Sequence, residues 1–169
     1  MSTQTQIDPR DPVATAVADA DVNHGRLLYQ YDGELTGFTE YGASIADLLS
    51  GEAEPPASGL RVDIRFAADV TGPLPGRIEG TDYLNVRADG RMELDIKATL
   101  VTEDGARIAV SAGGVAIPRP GSTASVLREN VKLTTAHPDY LWVNNLQIWA
   151  VGEGDVSTGR LAVRGYIPA

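Results

Sequence analysis

Period-two alternation constrains this chain more than any other feature. From Arg91 to Thr102, Met92, Leu94, Ile96, Ala98 and Leu100 fall on one parity, and Arg91, Glu93, Asp95, Lys97 and Thr99 on the other. Successive side chains of an extended strand point to opposite faces, so this run is a strand with one apolar and one polar face. Leu60 to Phe66 repeats the pattern, with Leu60, Val62, Ile64 and Phe66 set against Arg61, Asp63 and Arg65. Asp89-Gly90 and Asp104-Gly105 lie between such runs, and Asp-Gly is a favoured hairpin pair because its glycine takes positive φ freely.

Other strands follow the same reasoning. Arg26 to Leu35 has Leu28 on one parity and Tyr29 and Tyr31 on the other; Arg77 to Arg87 is a further strand with an interruption expected at Gly80. Ala106 to Ile117 is the return strand after Gly105, with a bulge expected at Gly113-Gly114. Val126 to Thr134, Tyr140 to Val151 and Gly159 to Ile167 complete a set of eight or nine. Ile45 to Leu49 reads as one or two helical turns, with Ser44 as N-cap and Gly51 as stop. Eighteen glycines and ten prolines punctuate the apolar runs.

The chain therefore belongs to the all-β class. A meander of this many antiparallel strands hides its edges by closing into a barrel or folding into a sandwich. The expected architecture is a closed or nearly closed barrel of eight to nine strands with one or two short helices. At 169 residues the chain holds one core. The expected division is a segment over 1–23, flexible or with a short helix from Asp11-Pro12 through Ala18, and a single barrel over 24–169.

The net charge of −9 repels phosphate backbones and anionic lipid, so neither nucleic acid nor a membrane is an expected partner. There is no cysteine, which removes disulfides and thiolate chemistry and fits a cytoplasmic setting. With two histidines, His24 and His137, no His-rich metal site is available, and no phosphate loop or dinucleotide fingerprint appears. No metal and no cofactor are expected. The partner expected is a small organic ligand or substrate; self-association stays open.

Several residues are candidates for chemistry. Asp82 and Tyr83 follow Gly80, and a carboxylate beside a phenol at a barrel opening can move a proton and donate to a developing oxyanion. Asp95, with Lys97 and Thr99, and Arg65 lie on the polar faces of two long strands. Those faces are either a solvated outer wall with cross-strand ion pairs or, if turned inward, a source of perturbed carboxylates. Tyr140 and Trp142 share a parity and either fill a core or line a ligand slot; Trp149, on the other parity, is assigned to the core. His137 precedes Pro138 in a loop at a strand mouth, where imidazole is available as a base or as a solvated side chain.

Three stretches carry a family resemblance. Gly80-Thr81-Asp82-Tyr83-Leu84-Asn85-Val86-Arg87-Ala88-Asp89-Gly90 with Leu94-Asp95-Ile96-Lys97-Ala98-Thr99-Leu100 resembles the DUF3237 (UPF0311) family of uncharacterised bacterial proteins. So do Thr102-Glu103-Asp104-Gly105-Ala106-Arg107-Ile108 and Pro138-Asp139-Tyr140-Leu141-Trp142-Val143-Asn144. The resemblance runs from about Gly59 to Ile167. It implies a calycin-like barrel with an internal cavity, and Asp82, Asp95 and Thr99 as the polar positions typical of the pattern. Tyr83 stands where the family often has tryptophan, and the chain departs from the pattern before Gly59.

These readings converge on a cofactor-independent acid–base enzyme, of isomerase, cyclase or hydratase/lyase type, acting on a small, partly apolar molecule. Asp82 or Asp95 would be the base and Tyr83 the oxyanion donor. Lys97 or Arg65 would be the charge partner, with Thr99, Tyr140, Trp142 and His137 around the substrate. The alternative is a carrier or sensor of lipocalin type.

Overall fold

A computed structural model describes residues 25–168, so the expected helix from Asp11-Pro12 and the residue His24 lie outside the described residues. Eight strands run in chain order: β1 (Arg26–Glu40), β2 (Leu60–Thr71), β3 (Gly76–Val86), β4 (Met92–Thr102), β5 (Arg107–Pro118), β6 (Ala124–Thr134), β7 (Ile148–Asp155) and β8 (Arg160–Ile167). Each pairs antiparallel with its neighbour, and β8 returns to β1, so the sheet is a closed barrel. Helix α1 (Ile45–Ser50) follows β1, and a 3-10 helix (Pro138–Asn145) joins β6 to β7.

Alternation fixes which face looks inward. On β4, Met92, Leu94, Ile96 and Leu100 are buried while Asp95, Lys97 and Thr99 are exposed. Burying each large apolar side chain is worth about 1.5–3 kcal/mol, which outweighs what the outer ion pairs contribute. The two Asp-Gly segments close with three-residue loops. Arg87 and Arg91 are joined by a backbone hydrogen bond, as are Thr102 and Ala106, and only Gly90 and Gly105 take positive φ.

Two expected irregularities are absent. Gly80 is regularly paired with Phe66 and Ala98, and Gly113-Gly114 sit in unbroken ladders with β4 and β6. Gly114 serves close approach instead: a Cβ there would lie 1.9 Å from the Arg128 carbonyl oxygen. The register shifts fall in β1, between Leu27 and Tyr29 against β8 and between Leu35 and Gly37 against β2. The first lets Leu28 and Tyr29 both be buried, which strict alternation forbids.

The two ends of the barrel differ. One end carries the β2–β3 and β4–β5 turns and the 3-10 helix. It is packed solid by Leu28, Leu74, Ile108, Val143 and Ile148, each no more than 2% exposed. The other carries α1 and the β3–β4, β5–β6 and β7–β8 turns. There, α1 is held by its ends: Ser44 Oγ accepts from the Asp47 amide at 3.3 Å, and Gly51 stops it with φ +81°. It turns Ile45 and Leu49, one helical turn apart, onto the barrel.

The expected strand Tyr140 to Val151 is corrected. Its first part is the 3-10 helix, in which only Val143 is buried, and the strand begins at Ile148. Pro at the first helical position and His137 accepting from the Asp139 amide start that helix. The core assignment of Trp149 is also corrected. It is half-buried on the outer face beside Tyr166, ring centres 6.0 Å apart, in a cluster separate from the main core. Among the described residues no helix is long and apolar enough to cross a membrane.

Candidate functional site

The barrel holds a cavity of about 70 Å³ at the α1 end. Its walls are mostly carbon: Ile64 and Phe66 from β2, Leu84 from β3, Met92, Leu94 and Ile96 from β4, and Leu161 from β8, with Ile45 and Leu49 of α1 across the top. Three polar side chains join them, Asp82 from β3, and Ser125 and Glu129 from β6. Among the described residues none of the lining side chains is Lys, Arg or His.

Asp82 occupies an inward position between Gly80 and Leu84 and is 9% exposed. The local pairing explains how a carboxylate is held there. Between the pairs Asp82↔Ile96 and Asn85↔Glu93 the β3–β4 ladder is interrupted. The Asp95 amide donates to Asp82 Oδ1 at 2.9 Å, and the Tyr83 carbonyl accepts from Asn85 Nδ2 at 3.2 Å. Two backbone groups freed from the ladder thus find side-chain partners. Burial pushes the Asp82 carboxyl up to about 6; the Asp95 amide pulls the other way, and the nearby Asp95 charge adds to the rise.

Glu129 is 7% exposed, on the inward parity of β6 with Ser125, Val131 and Leu133. It sits two residues from Val131, the position reached from Asp82 across Ile96 and Ala112. Burial pushes its carboxyl up to about 7, and the Asp82 charge contributes. Both carboxyls are thus displaced toward neutrality, and the charge on Asp82 links the titration of Glu129 to its own. Tyr29 and Tyr31, stacked with ring centres 6.1 Å apart, are buried within reach of the same field. Burial pushes both phenols far up, and the Glu129 charge pushes them further. Gly165 makes room, since a Cβ there would lie 2.4 Å from the Tyr29 ring.

Of the residues read from the sequence, only Asp82 reaches the cavity. The others stand away from that cavity. Asp95 and Lys97 form an exposed ion pair at 3.1 Å on the outer wall, and Lys97 also donates to Ser111. Tyr83 faces outward under the Arg61 guanidinium, 4.8 Å from its ring centre. Arg65 is exposed and donates to Thr39 at 3.0 Å; Thr99 lies on the outer surface. Tyr140, Trp142 and His137 sit at the opposite, solid end. There Tyr140 donates to Asp104 at 2.8 Å, Trp142 is 46% exposed, and His137 packs edge-on against Tyr140. Both polar faces are thus outer wall, but their ion pairs, Arg61 with Asp63 and Lys97 with Asp95, lie within a strand rather than across strands.

Glu129, Ser125, Tyr29 and Tyr31 were not among the sequence candidates. Glu129 did carry a signal: an acidic residue on the same parity as Leu127, Val131 and Leu133 occupies a core position. Among the described residues no three His, Asp or Glu side chains cluster as a metal site would require.

Comparison with known proteins supports the same frame. A family model described as protein of unknown function (DUF3237) matches residues 62–166. No curated protein sequence matches. A β-barrel-like protein from Acinetobacter baumannii superposes with a TM-score of 0.63 at 21% identity, covering 84% of this chain and 93% of its own. A conserved protein of unknown function from Rhodopseudomonas palustris gives 0.66 at 19%, covering 84% and 95%. A protein described as an enzyme from Penicillium herquei gives 0.54 at 19%, covering 84% and 92%.

Proposed function

The chain belongs to the DUF3237 family, and from that premise we propose that its barrel is a cofactor-independent enzyme moving protons on a small, largely apolar molecule. The observation that carries this reading is the pair Asp82 and Glu129 on the wall of an otherwise carbon-lined cavity. A carrier for an apolar guest needs neither. Each buried carboxyl costs stability, and carboxyls tuned toward neutrality are what general acid–base catalysis requires. A neighbour in fold, from Penicillium herquei, is described as an enzyme, so the scaffold accommodates catalysis.

In this mechanism the ionised carboxylate removes a proton from carbon or from a hydroxyl, and the protonated partner delivers one to another atom of the same substrate. The reaction class is isomerisation, cyclisation, or addition and elimination of water. The carbon walls and α1 leave few water-binding groups beside the reacting atoms, which strengthens each charge–dipole interaction there.

The test is proton exchange at carbon. Small cyclic ketones and enones are incubated with the protein in deuterium oxide, and label at the α-carbon is read by mass spectrometry. The wild type should exchange at least one member of the panel above the buffer rate. Asp82→Asn and Glu129→Gln should each lower that rate by about 100-fold or more while circular dichroism is unchanged. Exchange equal to buffer across the panel, or equal in both variants, would leave the carrier reading in its place.

A further inference from the structure

The polar lining of the cavity is one-signed. Asp82 and Glu129 bring carboxyls, Ser125 brings a hydroxyl, and among the described residues no cation faces the space. An anionic guest would enter beside a negative charge with nothing to neutralise it, after losing its own hydration. A permanently cationic guest would be drawn to the charge. It would, however, favour ionisation of both carboxyls and leave three ionic groups among carbon walls. An uncharged oxygen function fits what the pair presents. The protonated carboxyl donates to its lone pair, and the carboxylate accepts from its hydroxyl or from an adjacent C–H made acidic by a carbonyl.

We propose that the cavity selects a compact carbon-rich guest bearing one uncharged oxygen function, a hydroxyl or carbonyl, held between the Asp82 and Glu129 carboxyls, and rejects the corresponding carboxylate. The inference rests on the reading of those two residues as the working pair of this cavity. Size follows from the space, which admits on the order of five waters and so a guest about the size of one six-membered ring. Orientation follows from the lining. The oxygen points to β3 and β6, and the ring lies toward Phe66, Met92 and the α1 residues Ile45 and Leu49.

Four probes of one shape test it at pH 7: cyclohexanol, cyclohexanone, cyclohexanecarboxylate and cyclohexylamine. Binding to the full chain is read by ligand-observed NMR and by the shift in melting temperature. The alcohol and the ketone should bind at least about tenfold more tightly than the carboxylate, and more tightly than the ammonium form of the amine. In the double variant Asp82→Asn with Glu129→Gln, which keeps shape and removes charge, discrimination against the carboxylate should fall to within about threefold. Three results overturn the proposal: the carboxylate binding as well as the alcohol, the amine binding tightest, or no probe binding. Unchanged discrimination in the double variant overturns it as well, since selection would then lie elsewhere. Failure of deuterium exchange with discrimination intact removes the catalytic reading and leaves this one standing. Exchange without discrimination does the reverse.

Discussion

Asp82 and Glu129 set the pH behaviour of this protein. In the unfolded chain they are ordinary carboxyls with values of 3.8 and 4.5; burial in the folded barrel pushes them to about 6 and about 7. The folded state therefore binds more protons than the unfolded state between about pH 4 and pH 7, and stability falls as pH rises through that window. The loss is on the order of a few kcal/mol for the pair. Asp63, Asp104 and Asp155, held below their usual range by hydrogen bonds, act in the opposite sense and only at lower pH. The melting temperature should be higher at pH 5 than at pH 8, and Glu129→Gln should flatten that slope and raise the value at pH 8. A slope unchanged by Glu129→Gln would place the raised carboxyl elsewhere. Asp82 was legible in the sequence as a carboxylate beside Tyr83 after Gly80, and it shares the parity of Ile78 and Leu84. Glu129 carried a weaker signal, its shared parity with Leu127, Val131 and Leu133, which a carboxyl at a core position runs against. Asp95, Lys97 and Tyr83 were legible as strand positions. Their direction is settled only when the apolar parity of Met92 to Leu100 takes the interior.

At the level of elements, the strands of β2, β4 and β5 follow from period two with shifts of a few residues at their ends. The 3-10 helix does not, because Tyr140 and Trp142 mimic strand alternation. What breaks the mimicry is Pro138 at the start and the single buried side chain Val143, which needs one contact with the core rather than a row of them. The consequence is functional. The two aromatic rings that resemble a ligand slot stand at the solid end, and the short helix α1 covers the hollow one. Leu49→Trp in α1 should abolish probe binding and deuterium exchange by filling the space. Trp142→Ser at the far end should change neither by more than about twofold, since exposed substitutions away from a site are usually small in effect. Probe titration of the two variants side by side checks this. Binding lost in Trp142→Ser and kept in Leu49→Trp would reverse the assignment of the ends.

For the whole molecule, the sequence supports a meander but leaves barrel and sandwich both open. Closure depends on β1, fifteen residues long, which pairs with β2 on one side and β8 on the other. Its two register shifts add the bending and twist that a closing strand needs. Neither shift coincides with a glycine pair of the kind that marks Gly113-Gly114, and the break in the β3–β4 ladder falls at Tyr83-Leu84 rather than at Gly80. The void near α1 also has a thermodynamic meaning for the evolution of this fold. Ala116, a small residue on its wall, leaves unfilled a space that a larger side chain would occupy with gain. Ala116→Leu should raise the melting temperature by a few degrees and silence exchange together, a joint outcome that calorimetry and mass spectrometry on one sample can read. On the proposed reading, that emptiness is stability forgone in exchange for room to admit a guest.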